Sequence, residues 1–236
     1  RIEYALPGGA LGALAAGYDT RRRLERVFAW RHATLRRDLR LHRRAALGRR
    51  RILITGATGL IGGALAPFLA TGGHEVMALS RSLPRPGGGF AGEGIRWTPP
   101  GGFPPGEEER LEGFDAVIHL AGENIAAGRW TPERKRLLRE SRVEATRTLC
   151  EALARRERKP EVLICASGVG GYGPRGEEWL DEETPTGAGG YLPGLVRDWE
   201  AAAAPAREAG IRVVHLRIGM VLTPRGGALA RMLPAS

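Results

Sequence analysis

Residues 51–65 read "RILITGATGLIGGAL". A short apolar and β-branched run enters three glycines spaced three apart, and a helix-like apolar pattern leaves them. That order, strand then glycine turn then helix, suits a βα unit whose turn faces a phosphate. Gly56 permits the tight turn, Gly59 lets the backbone approach a diphosphate, and Gly62 lets the helix pack close to its strand. The N–H groups around Thr58, Leu60 and Ile61, at the positive end of the helix, then face the anion.

Outward from this turn the rhythm is strand, helix, strand, helix. The pattern predicts strands at 51–55, 75–79, 94–97, 115–120, 161–166 and 211–217, and helices at 60–71, 132–157 and 193–209. Strands alternating with helices of this length call for an α/β fold: a Rossmann-type doubly wound parallel sheet with helices on both faces. Gly and Pro crowd the stretch from Leu83 to Glu109, which reads as surface loop around one short strand. Pro205 should bend the last helix. No internal repeat is visible.

Residues 1–50 differ in kind. They hold 13 Arg and no Lys against four acids, a charge of +9, whereas the remainder carries 23 basic and 22 acidic residues. The chain's +10 therefore belongs almost wholly to this basic strand-helix arm, and residues 51–236 form a nearly neutral domain. "RIEYALP" alternates like a strand ending at Pro7, and "GGALGALAAG" (8–17) reads as a connector. From Thr20 to about Leu47 the pattern is helical, with Leu24, Val27, Phe28, Leu35 and Leu39 as an apolar stripe among arginines. Such a stripe suits packing on a preceding domain. A basic helix on nucleic acid or an anionic membrane is the competing reading. The aromatic residues do not recur among the arginines as a stacking platform would, so nucleic acid is disfavoured.

Bulk properties narrow the class further. At 236 residues and 42% hydrophobic composition, one large α/β domain plus an appendage is expected. No run of 18 apolar residues appears, so no membrane span is expected. The first residue is Arg1 with no leader-like pattern after it, which reads as a piece of a longer polypeptide. Cys150 and Cys165 lie in apolar stretches and are too few for a disulfide framework, which favours a reducing, cytoplasmic setting. The five histidines lack ligand-like spacing, so no metal is expected.

The G-x-x-G-x-x-G spacing resembles that of short-chain dehydrogenases/reductases, and "TGATGLIG" resembles their extended branch. "DAVIHLAGEN" (115–124) resembles the fourth strand, whose exit through Leu120, Ala121 and Gly122 passes beside the cofactor. "VLICASGVGGYG" (162–173) resembles the fifth strand and its serine–Tyr-Gly turn. "GRWTPERK", "SRVEATRTL", "DEETPTG", "YLPGLVRDWEAAA" and "LRIGMVLTPRGGALARMLP" resemble an atypical extended group, the epimerase family proteins of family 39U. The resemblance covers about residues 51–236. It implies a nicotinamide cofactor and an oxidoreductase or nucleotide-sugar epimerase activity on a small polar or sugar-nucleotide-like substrate. The arm resembles the closing strand and helix of START-like ligand-binding domains, sometimes fused ahead of such proteins. Extended relatives continue past the sixth strand into a substrate-covering region, which in this sequence is expected to be truncated.

Charge argues the cofactor's identity. NAD binders place an acid after the second strand to accept from the ribose 2′-hydroxyl. Here "EVMALSRS" ends in Ser80, Arg81 and Ser82. A guanidinium binds a 2′-phosphate where a carboxylate would repel it, so NADP(H) is favoured over NAD(H).

Catalysis is less plainly written. Hydride-moving relatives use a serine and a Tyr-x-x-x-Lys helix. Ser167 resembles that serine and Tyr191 opens the following helix in the tyrosine's place, but four residues on stands Leu195. Neither Lys135 nor Lys159 is in register. A tyrosine without the lysine has a pKa of about 10 and is ionised in roughly one molecule per thousand at pH 7, so it suits proton donation better than base catalysis. Arg142 replaces the asparagine usual on the fourth helix, where it would bind an anionic substrate or anchor a loop. Glu123, Asn124, Lys135 and Tyr172 are further polar candidates near the strand ends. Trp199 and Glu200 read as helix packing and a solvated acid, and Asp181, Glu182 and Glu183 as loop-capping or solvated acids. Whether the chain is an enzyme stays open at this stage: the alternative is a non-catalytic NADP(H)-sensing module that regulates a partner.

Overall fold

In the computed structural model the described residues are 9–45, 48–82, 94–223 and 225–232. Two units separate, residues 1–48 and residues 49–236. In the first, helix α1 runs Gly9–Ala45. The connector expected at 8–17 is therefore helical from Gly9 onward: alanine and leucine outnumber the glycines there, and their helix propensity prevails. Of the expected stripe, Val27, Leu35 and Leu39 are exposed. The strand expected over residues 1–7 lies outside the described residues.

In the second unit β1 (Arg51–Thr55) is followed by α2 (Gly62–Thr71), β2 (Glu75–Ser80), β3 (Gly94–Arg96) and β4 (Ala116–His119). After β4 come α3 (Pro132–Arg139), a π-helical turn (Glu140–Glu144), α4 (Ala145–Ala154) and β5 (Val162–Gly168). A 3₁₀ turn (Val169–Tyr172), α5 (Tyr191–Ala201), α6 (Ala204–Glu208), β6 (Arg212–Ile218) and α7 (Gly227–Met232) complete the unit. All six strands are parallel, in the order β3-β2-β1-β4-β5-β6. Each expected strand is present to within two residues at either end. Of the loop expected between Leu83 and Glu109, residues 83–93 lie outside the described residues.

Alternation along the central strands assigns the two faces. Ile52, Ile54 and Ile118 join Ala57 and Ala66 in the core beside α2. Leu53, Val117 and Leu163 join Leu149 and Leu153 of α4 on the other face, with Cys150 and Cys165 in the same cluster. Burial raises both thiols, that of Cys165 to about 12, so they act as small apolar groups.

The helices depart from expectation at three places. The helix expected over 132–157 is interrupted by the π-helical turn and ends at Ala154. The one expected over 193–209 begins at Tyr191 and breaks after Ala201, where Pro205 can only restart it from a first turn that lacks its N–H bond. Helix α7 was not expected: its "GGALARML" is too short to show a helical period.

Candidate cofactor and active site

β1 lies at the point where the strand order reverses, with β2 on one side and β4 on the other, and ligands of such sheets bind beyond the carboxyl ends there. The glycines of this turn differ in their roles. Gly56 has φ +68°, and a Cβ on it would stand 3.0 Å from the Ala121 amide nitrogen. A Cβ on Gly62 would land on the Gly56 carbonyl oxygen, so the helix start fits against the turn only without a side chain. Gly59 is looser, with 3.2 Å between its would-be Cβ and the Gly56 oxygen, and its amide closes the turn onto that oxygen at 2.9 Å. The next three amides, of Leu60, Ile61 and Gly62, have no acceptor among the described residues, and Leu60 is exposed. Three adjacent donors at a helix start fit a diphosphate. Thr58 is exposed in the same turn.

The opposite wall comes from β4. Thr55 Oγ1 accepts from the Leu120 and Ala121 amides at 3.0 and 2.9 Å. Its own hydrogen is then left for His119 Nδ1, 2.7 Å away. The proton of His119 consequently resides on Nε2 and is donated to Thr146 Oγ1 at 3.0 Å, which also accepts from Trp199 Nε1 at 2.9 Å. Complete burial keeps the ring neutral, its pKa pushed down to about 4. This chain fixes the exit of β4 against the glycine turn. Sequence reasoning missed it, although a histidine within an apolar strand is a signal of a buried polar pairing.

Arg81 is exposed and has no carboxylate within ion-pair distance among the described residues. It lines a cavity of about 210 Å³ with Pro100, Ala121, Gly122, Glu123 and Ser141. Arg81 after β2 and Ala121 and Gly122 after β4 thus share one cleft.

Ser167 and Tyr191 belong to different hydrogen-bond networks. Ser167 is buried at the end of β5, and its hydroxyl donates to Glu200 Oε1 at 2.6 Å. Arg217 of β6 grips the same carboxylate with both Nε and Nη2 at 3.0 Å. Its Nη1 donates to the Tyr172 hydroxyl at 3.1 Å, and that hydroxyl donates to the Asp181 carbonyl at 2.8 Å. Burial opposes the charge of Glu200, but Arg217 and Ser167 more than offset it and hold the carboxyl below its usual range. The reading of Glu200 as a solvated acid is corrected: the register that sets Ser167 beside Arg217 places both against the end of α5. Asp181 caps its loop as expected, accepting from the Thr184 amide at 2.8 Å.

Beside this network lies a cavity of about 890 Å³, lined by Tyr172, Leu180, Glu182, Glu200, His215 and Arg217 among others. Both ring nitrogens of His215 are buried there without a hydrogen-bond partner among the described residues, and burial lowers its pKa. Arg217 and His215 escaped sequence reasoning because β6 looked like an ordinary strand. Their one signal is that polar and charged residues alternate with apolar ones in "HLRI" (215–218).

Tyr191 stands at the first turn of α5. Its hydroxyl donates to the Lys135 carbonyl at 2.7 Å, the Lys135 ammonium lies 5.3 Å from its ring centre, and Trp130 meets the ring edge-on. Burial raises its pKa. Leu195, in the lysine's place, is buried among Leu138, Val143 and Trp199. A lysine there would point into the core.

Residues 52–236 match the NAD dependent epimerase/dehydratase family. The epimerase family protein Mb2239 of Mycobacterium bovis is 40% identical over 184 residues, covering 78% of this chain and 58% of its own length. Among solved structures, the nucleoside-diphosphate sugar epimerase of Corynebacterium glutamicum is 38% identical with a TM-score of 0.72, over 87% of this chain and 42% of that one. The human epimerase family protein SDR39U1 (isoform 2), solved with NADPH, is 35% identical with a TM-score of 0.65, over 77% and 58%. The chain thus spans under three fifths of the length of these relatives. No helix among the described residues is long and apolar enough to cross a membrane. By the match over residues 52–236, the chain belongs to the NAD dependent epimerase/dehydratase family.

Proposed function

We propose that this chain is the NADP(H)-binding part of an oxidoreductase or epimerase acting on a small polar or sugar-nucleotide-like substrate. The observation that carries the reading is the row of unanswered amides at Leu60, Ile61 and Gly62, set between the Gly56 turn and the Thr55–His119 clamp. On this reading those amides hold the diphosphate, with Thr58 and Gly59 beside them, and Leu120, Ala121 and Gly122 form the facing wall. The exposed Arg81 takes the 2′-phosphate. The human relative's NADPH and the C. glutamicum relative's description as a nucleoside-diphosphate sugar epimerase support the choice of cofactor and substrate class.

Bound there, the nicotinamide would supply a hydride donor or acceptor. Ser167 would orient the substrate oxygen by turning its O–H from Glu200 toward that oxygen. Tyr191 would give up its proton by turning its O–H from the Lys135 carbonyl to that oxygen. The large cavity beside Tyr172 and Arg217 has room for the substrate. Helix α1, with its exposed apolar side chains, is read as the end of a preceding START-like domain.

The test is calorimetric titration with NADPH and NADH, then absorbance at the reduced-nicotinamide band against carbonyls and nucleotide sugars. Tighter binding of NADPH and turnover lost in Tyr191→Phe are expected; failure to bind either coenzyme defeats the reading. The second reading, a non-catalytic NADP(H)-sensing module, is favoured by one observation: Leu195 is core. It predicts tight binding with no turnover.

A further inference from the structure

Tyr191 opens α5, and four residues on, where the Tyr-x-x-x-Lys pattern has its lysine, stands the buried Leu195. Tyr191, Leu195 and Trp199 follow at four-residue steps, so they share one face of that helix. All three belong to one apolar cluster with Leu138 and Val143. Next to Val143 in the chain is Arg142, in the π-helical turn between α3 and α4, a kind of irregularity that concentrates at functional sites. Its guanidinium lies against the Trp199 ring, 5.2 Å from centre to Cζ. The face of α5 that has no lysine thus meets a cation from another element.

Hydrogen bonds bring the phenol and this guanidinium to the same side of α3. Tyr191 donates to the Lys135 carbonyl at 2.7 Å, and Arg142 Nη1 donates to the Leu138 carbonyl at 3.3 Å. Those carbonyls are three residues apart, close to one helical turn. The other partners of Arg142 are the Ser141 hydroxyl and, at 2.9 Å, the Glu123 carbonyl. All of them are neutral, and among the described residues no carboxylate comes within ion-pair distance of Arg142. The other charges near Tyr191 are engaged differently. Arg139 is paired with Asp198 at 2.5 Å, Arg134 with Glu123 at 2.9 Å, and the Lys135 ammonium lies over the ring, 5.3 Å from its centre. Burial raises the pKa of Tyr191; Arg142 and, after it, Arg139 oppose that rise. Burial also lowers the pKa of Arg142, yet an arginine stays charged at neutral pH.

When Tyr191 gives up its proton, the phenol O–H bond breaks, one forms on the substrate oxygen, and a phenolate is left. In a partly enclosed place that anion is stabilised by a nearby cation. We infer that Arg142 stands in for the missing lysine, its fixed charge stabilising the phenolate that Tyr191 becomes. Arg142 acts through Tyr191 and is a positioning residue. The chemical use of its charge rests on the reading of Tyr191 as proton donor; the charge relation itself is open to a separate test. A core Leu195 then no longer argues by itself for the non-catalytic reading, because the tyrosine has a cation from elsewhere.

The experiment follows the near-ultraviolet phenolate band of the full chain through an alkaline titration, in the wild type, Arg142→Met, Arg142→Lys and Lys135→Met. The same titration with Tyr191→Phe added to each is subtracted to isolate Tyr191. Its midpoint should rise by about one pH unit in Arg142→Met and return most of the way in Arg142→Lys. Carbonyl reduction should slow about tenfold in Arg142→Met with KM little changed, and the alkaline limb of its pH profile should move up with the midpoint. An unmoved midpoint in Arg142→Met, or a rise confined to Lys135→Met, overturns the inference. Should Arg142→Met not fold, Arg142→Gln, which keeps a donor but no charge, decides in its place. A midpoint that moves as expected without turnover upholds the charge relation and defeats the proton-donor reading instead.

Discussion

At the mouth of β1, three consecutive amides have no acceptor among the described residues; between β5 and β6, the Ser167 hydroxyl, the Glu200 carboxylate and the Arg217 guanidinium are all engaged with one another. The first region is held open by rigid neighbours and left short of partners. The second is closed on itself. Unused donors on a fixed backbone mark a place prepared for an anion, whereas a completed ionic network contributes to the fold and must be loosened before it does chemistry.

That contrast is most severely tested at Glu200. Glu200→Ala would leave Arg217 partly buried without its carboxylate and should lower stability by about 3 kcal/mol, measured by urea unfolding. A loss below about 0.5 kcal/mol would mean that the network is as adaptable as a surface pair. At the open region, Gly62→Ala forces the helix start away from the Gly56 oxygen. NADPH affinity should fall by about a hundredfold, or about 2.7 kcal/mol, while Gly59→Ala, with more room, costs far less. Similar losses in the two variants would contradict the roles given to these glycines.

The clamp between the two regions should respond to acid. His119 has a folded pKa near 4, below the unfolded value of about 6.5, so the unfolded chain binds more protons between those limits. Its contribution is complete above pH 6.5 and is lost as the pH falls toward 4, by about 2 kcal/mol at pH 5. Urea unfolding at pH 7 and pH 5 should show that slope, flattened in His119→Asn; an equal slope in both would assign the acid sensitivity elsewhere. The smallest effect is at the rim. Arg81→Ala should reduce the preference for NADPH over NADH about tenfold, or about 1.4 kcal/mol. A preference that survives this change would place 2′-phosphate recognition on another residue.

Much of the open region was legible because it is local. Strand, glycine spacing and helix fall within fifteen residues, and the positive φ of Gly56 is the conformation that glycine serves best. The absence of an acid after β2 is likewise written beside Arg81. The closed region draws on residues far apart in sequence: Ser167 and Glu200 are separated by 33 positions, and Glu200 and Arg217 by 17. Only the β5–β6 register brings them together, and no periodicity encodes which acid meets which base. Leu195 shows the intermediate case. Its departure from the tyrosine–lysine pattern was readable, but its burial depended on how α5 meets α3 and α4. In α1 the glycines at 12 and 17 suggested a break that their alanine neighbours overrode.

Strand β6 closes one side of the sheet and pairs only with β5 among the described residues, with Leu216 exposed on it and Met220 and Leu222 exposed just after it. Seven residues of parallel strand with one unsatisfied flank offer a template for any extended segment that arrives.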